Sequence, residues 1–107
     1  MAAREYQFGR FLLRPAQREL LANGEPQKLG KRGYDLLLAL VERAGEVVGR
    51  DELFERVWHG RVVIDDNLKV QVMALRRLLG RDAVVTVPGQ GYRDQCPVFA
   101  LHTPRRP

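Results

Sequence analysis

DDNLKVQVMALRRLLGRDAVVTVPGQGYR, residues Asp65 to Arg93, reads as a helix followed at once by a hairpin. A helical advance of about 100° per residue puts Leu68, Val72, Leu75 and Leu79 in one apolar stripe, the face to be buried. Asp65 is placed to cap the helix and Gly80 to stop it. The opposite side carries Asp66, Val70, Met73 and Arg77, with Asn67 and Ala74 along one edge and Lys69 and Arg76 along the other. A helix lying free on a surface seldom shows a valine and a methionine to water, so this outer face is expected to meet a partner. Beyond Gly80, Val84 to Val87 is a β-branched strand, Pro88 to Gly91 a turn, and Tyr92 onward the return strand. Gly89 and Gly91 invite comparison with a phosphate-binding loop, but a dinucleotide fingerprint needs three glycines and a helix opening on the last of them. A hairpin tip fits better.

Upstream, short strands are expected at Tyr6–Phe8, Phe11–Leu13, Glu19–Leu21 and Gln27–Leu29, the last two joined by Asn23-Gly24, a pair suited to the positive φ angles of a type I′ turn. From Lys31 to Ala44 the residues Leu36, Leu37, Leu40, Val41 and Ala44 recur at helical spacing until Gly45. Val47-Val48 reads as an extended link, and Arg50 to Trp58 as a second helix with Leu53, Phe54 and Val57 inward. The tail from Leu101 has no periodicity and is expected to fray.

A chain of 107 residues, 45% hydrophobic, suits one domain with one core and no disulfide staples. Its single cysteine, Cys96, excludes an intramolecular disulfide and a cysteine-rich metal site, and fits a reducing compartment. The apolar run Leu36–Val41 is far too short to span a membrane, and Met1-Ala-Ala-Arg-Glu5 contains no signal-peptide core, so a cytoplasmic location without membrane contact is expected. The net charge is +5, and arginine supplies 15 of the 18 basic residues, which favours a phosphate-bearing partner. Charge alone does not locate the contact, because residues 1–48 and 49–93 each carry eight basic and six acidic side chains. An enzyme finds little support: there is no serine, Thr86 and Thr103 are the only threonines, Cys96 has no histidine nearby in sequence, and no metal-ligand spacing exists. His59 and His102 stand alone and read as surface residues. No catalytic residue, metal or cofactor is expected.

Two short helices, a third with a mixed outer face and a glycine-tipped hairpin form a physical set. A helix fits the major groove of duplex DNA, and a neighbouring hairpin reaches the adjacent minor groove or the phosphates. On this reading both wing glycines keep the tip slim and let the backbone lie close to a polyanion. Taken together, Leu36–Val41, Gly45–Leu53 with Val57-Trp58, Leu68–Val72 through Ala74–Arg77, and Thr86–Arg93 resemble, in family order, the OmpR/PhoB-type winged-helix DNA-binding domain. That domain is the effector part of many bacterial response regulators and of CadC/ToxR-like regulators. The resemblance runs from about Tyr6 to Arg93.

The resemblance implies an α+β fold, a winged helix-turn-helix with an N-terminal four-stranded antiparallel sheet, three helices and a C-terminal β-hairpin wing. It places the domain at residues 6–97, between a tail at 1–5 and a flexible tail at 98–107. The implied function is sequence-specific binding of double-stranded DNA by the effector domain of a transcriptional regulator in signal transduction. Residues 65–79 would be the recognition helix, with Asn67, Lys69, Val70, Gln71, Met73 and Ala74 in or beside the major groove. Arg50, Trp58 and Arg76 or Arg77 match positions that hold the phosphate backbone, and Thr86, Gly89, Gly91 and Arg93 match the wing, here residues 84–95. The 58–65 loop resembles a segment that touches RNA polymerase in some members, and a head-to-tail dimer on direct repeats is a further expectation.

Several residues stay open to a second reading. Trp58 suits core packing as well as DNA, and the Val70/Met73 face, read first as meeting thymine methyls, has as its alternative a winged helix that docks on protein. The sequence also departs from the family pattern. Met73 and Ala74 stand where many members carry arginines, Pro88 where the wing often has a basic residue, and Asp94 where an aromatic residue often follows Gly-Tyr-Arg. No receiver-like pattern precedes Tyr6, which leaves an isolated domain or a CadC-like arrangement as the expectation.

Overall fold

The computed structural model describes residues 3–61, 64–94 and 99–103. The chain divides into two compact units, Met1–Leu29 with Pro97–Pro107, and Gly30–Cys96.

The first unit is an antiparallel sheet. Strands β1 (Ala3–Phe8), β2 (Phe11–Arg14), β3 (Glu19–Ala22) and β4 (Glu25–Pro26) follow one another, and β8 (Phe99–Thr103) completes the order β4-β3-β2-β1-β8. Alternation places Tyr6, Phe8, Phe11, Leu13 and Leu20 on one buried face, and the Phe8 and Phe11 rings stack at 5.7 Å. Arg14 binds Glu5 at 3.0 Å and Glu19 at 3.5 Å, linking the three central strands. At the Asn23-Gly24 turn both residues have positive φ, 52° and 84°, as anticipated.

Two expectations need correction in this unit. The fourth strand is Glu25–Pro26 and not Gln27–Leu29, because the tight turn allows pairing at once, Ala22 opposite Glu25 and Leu21 opposite Pro26. Pro26 has no N–H to donate, so it suits an edge and blunts it. The tail expected to fray is, over Phe99–Thr103, a strand paired with β1 from Gln7↔Phe99 to Ala3↔Thr103. The remainder of that tail, residues 104–107, lies outside the described residues.

The second unit contains the helices. In α1 (Lys31–Glu42) Tyr34, Leu36, Leu37, Ala39, Leu40 and Val41 are buried. This helix stops short of Ala44: the Arg43 and Ala44 amides bond back to Leu40 and Val41, a tightened final turn, and Gly45 at φ 83° redirects the chain. Helix α2 (Arg50–Trp58) has the expected bounds, with Leu53, Val57 and Trp58 buried and Phe54 partly so. Arg32 donates to the Val57 carbonyl at 2.5 Å, occupying an acceptor left free at the helix end. Ion pairs Arg43–Glu52 and Arg56–Glu42 bridge α1 and α2. The hydrogen bond from Arg43 holds the Glu52 carboxyl below its ordinary value and raises Arg43 in turn. The contribution of Glu52 is therefore present above its unfolded value and fades as pH falls through the folded one.

Helix α3 (Asp65–Leu79) also has the expected bounds, but its N-cap is Ile64, with extended φ −85° and ψ 156°. The Asn67 amide bonds the Ile64 carbonyl at 3.0 Å, so Asp65 opens the helix itself and does not precede it. Leu68, Val72 and Leu75 are buried, and Leu79 partly. The hairpin of β6 (Val84–Val87) and β7 (Gly91–Asp94) follows. The Val47-Val48 link is more than a link: as β5 (Val47–Gly49) it pairs with β7, giving a second sheet in the order β5-β7-β6. Three helices, the N-terminal four strands and the C-terminal hairpin make the expected winged-helix fold, with β8 and β5 added to its sheets.

Candidate nucleic-acid interface

Helix α3 turns its buried stripe inward and leaves its outer face uncovered. Val70 is 59% exposed and Met73 52% exposed, and Asp66, Asn67, Lys69 and Arg77 are exposed around them. Gln71 and Ala74 lie half-buried on the edge away from the wing.

The wing stands beside this face. Its tip is a turn in which the Gln90 amide bonds the Val87 carbonyl at 3.0 Å. Pro88 and Gly89 occupy the middle positions, with Gly89 at φ 75°, the arrangement of a type II turn. Thr86, Gly89 and Gln90 are exposed, and Arg93 is half-buried in β7. Exposed Arg50, at the start of α2, lines an open cleft of about 430 Å³ with Phe54, Gly89 and Gln90. A second cleft, about 130 Å³, is lined by Arg50, Lys69, Thr86, Val87 and Gly89 among others. The first turn of α2, the start of α3 and the wing therefore converge.

Arg76, which with Arg77 was expected at the phosphates, makes contacts within the domain. Its Nε donates to the Val84 carbonyl at 3.0 Å and its Nη2 to Thr86 Oγ1 at 2.9 Å, so it ties α3 to β6. Arg76→Ala should cost roughly 1–3 kcal/mol in urea denaturation, since a partly buried carbonyl loses a charged donor. Lysine, lacking the fork, should restore only part of that. Equal stability of all three forms would remove the strut.

Two further residues are corrected. Trp58 is 6% exposed with its ring 5.6 Å from that of Phe54, so it packs the end of α2 and has little surface left to touch a phosphate. Gly91 is buried and belongs to the strand, not the tip: a Cβ there would stand 2.0 Å from the Val48 carbonyl oxygen. Its smallness serves the approach of β5. In the 58–65 segment Ile64 is 66% exposed, and residues 62 and 63 lie outside the described residues.

Arg81 was not singled out from sequence. With Met73, Arg76 and Arg77 it walls an open recess of about 440 Å³ at the C-terminal end of α3. The available hint was a third arginine just past Gly80, on the side of the helix that Arg77 occupies. Electrostatically, Lys31 of α1, Arg43 just beyond it and Arg56 of α2 are held in ion pairs, whereas Lys69, Arg77 and Arg81 make none with a described side chain. Lys69, Arg77 and Arg81 are therefore exposed cations free to meet a polyanion, and Asp66 is an exposed acid on the same helix. Among the described residues no helix is long and apolar enough to cross a membrane.

Residues 24–93 match the family described as "Transcriptional regulatory protein, C terminal". The chain is 36% identical over 92 residues to the swarming motility regulation protein RssB of Serratia marcescens, covering 85% of this chain and 42% of that protein. It spans less than half the length of the curated relatives it matches. Among solved structures, the DNA-binding domain of E. coli CadC aligns with a TM-score of 0.78 at 28% identity, over 92% of this chain and 98% of that one. The Klebsiella pneumoniae RstA DNA-binding domain, solved in complex with the RstA box, aligns with a TM-score of 0.73 at 27% identity, over 84% and 95%.

Proposed function

The chain belongs to the transcriptional regulatory protein C-terminal family, of OmpR/PhoB type, and we propose that it binds double-stranded DNA sequence-specifically as the effector domain of a bacterial transcriptional regulator. The observation that carries this reading is the uncovered outer face of α3, flanked by Lys69 and Arg77 and bordered by Arg50 and the wing. Residues 65–79 enter the major groove, and the wing lies on the adjacent minor groove or backbone. Arg50, Lys69, Arg77, Arg93 and the amides of the tip set register on phosphates, while Asn67 and Gln71 read base edges. No catalytic step is assigned. A DNA-binding unit at residues 6–97, RNA polymerase contact through residues 58–65, a head-to-tail dimer on direct repeats and a cytoplasmic position for this domain belong to the same proposal.

Selection from a random duplex pool tests it. A motif should enrich, and Gln71→Ala should then cost roughly 1–3 kcal/mol at one base pair of that motif and little on random DNA. A pool that returns no motif, with equal affinity for every duplex, would leave only non-specific charge attraction. Docking on a protein through Val70 and Met73 is the less favoured reading, because the basic side chains around them suit a polyanion.

A further inference from the structure

We propose that Val70 and Met73 read thymine C5-methyl groups on two successive base pairs, so that the operator carries a T·A pair beneath each of them. The inference rests on the DNA reading above and specifies what the centre of α3 recognises.

The outermost line of α3 is Asp66, Val70, Met73 and Arg77. Groups able to hydrogen-bond a base edge stand at its two ends, an acceptor at Asp66 and a donor at Arg77. Its centre offers only hydrocarbon and a thioether, more than half exposed at both positions. In the major groove the exocyclic apolar group is the thymine methyl, and purine edges and the cytosine amino group would leave a polar atom facing an apolar side chain. Val70 and Met73 are three residues apart, about 4.5 Å along the helix axis, comparable with the roughly 3.4 Å rise between base pairs. One side chain per successive pair is the natural register.

Charge selects the occupant. Met73 shares its recess with Arg76, Arg77 and Arg81, and it shares a second recess with Lys69 and Thr86. An apolar protein surface would have to desolvate these cations without pairing them. Duplex DNA supplies phosphates beside the groove and methyl groups on its floor, which matches an apolar centre with cations along one edge and at its C-terminal end.

The experiment substitutes deoxyuridine for thymidine, which removes the methyl group and preserves every hydrogen-bonding atom of the base pair. On the duplex recovered by pool selection, uracil at one contacted position should weaken binding about fourfold, and at both roughly fifteenfold. Uracil elsewhere in the site should have no effect. The double variant Val70→Ala/Met73→Ala should bind the thymine and uracil duplexes equally while melting at the parent temperature. Uracil-insensitive binding by the parent protein would overturn the inference and leave the DNA reading standing. Absence of any duplex binding would overturn both. Should the double variant keep full DNA affinity but change the sedimentation of the free protein, the face would be a self-association patch and the inference would also fall.

Discussion

Gly91→Val should lower the stability of the domain on the order of 3–5 kcal/mol and drop its melting temperature by at least about 12 °C. The cause is steric and lies within the backbone. Gly91 is the residue of β7 that faces Gly49 of β5 on one side and Val87 of β6 on the other, and any Cβ would reach 2.0 Å from the Val48 carbonyl oxygen. Neither strand can yield without giving up the pairing that defines the sheet. Gly89→Ala provides the contrast. Nothing lies within 4 Å of a Cβ there, so the cost is that of holding alanine at φ 75°, about 1 kcal/mol. Melting followed by circular dichroism separates the two, and a Gly91 variant more stable than the Gly89 variant would contradict this account. The two wing glycines, alike in sequence, thus act in different ways: one shapes a turn and the other lets three strands close.

Arg50→Ala/Arg77→Ala should weaken duplex binding on the order of tenfold per arginine, on operator and random DNA alike. It should also flatten the dependence of log affinity on log salt by about one to two units, since each phosphate contact contributes a slope near −0.9. Both arginines are exposed on the side of the molecule that carries the wing and the outer face of α3. Titration at several salt concentrations is the measurement. An unchanged slope would place the phosphates elsewhere, with Lys69 and Arg81 the next residues to replace.

Sequence alone carried the parts of the fold that are local. Helices Arg50–Trp58 and Asp65–Leu79 and the strand Val84–Val87 have the anticipated bounds because periodicity and glycine punctuation act within a few residues. The missed strands are those whose partners are far away in the chain. Val47-Val48 becomes a strand only because β7 lies beside it, and Phe99–Thr103 only because β1 does. Val47-Val48 reads as extended from its own residues, but neither stretch names the strand it pairs with. The site divides in the same way. Val70, Met73, Lys69 and Arg77 could be placed by turning a helix, whereas the tie from Arg76 to the wing, the burial of Trp58 and the crowding at Gly91 depend on neighbours that only the tertiary structure brings.

The position of β7 between β5 and β6 bears on how the duplex itself must behave. Gly49 hands the chain directly to Arg50, Arg76 fastens α3 to β6, and the tip closes β6 onto β7, so the start of α2, α3 and the wing are all anchored to one small sheet. Such a surface has spent its ordering entropy in folding and loses little more on association. It also has little freedom to adjust its spacing to the groove. On the DNA reading, the misfit between a given sequence and this fixed template is then taken up by the duplex, and base steps that bend or narrow at low cost become favoured even where no side chain touches them.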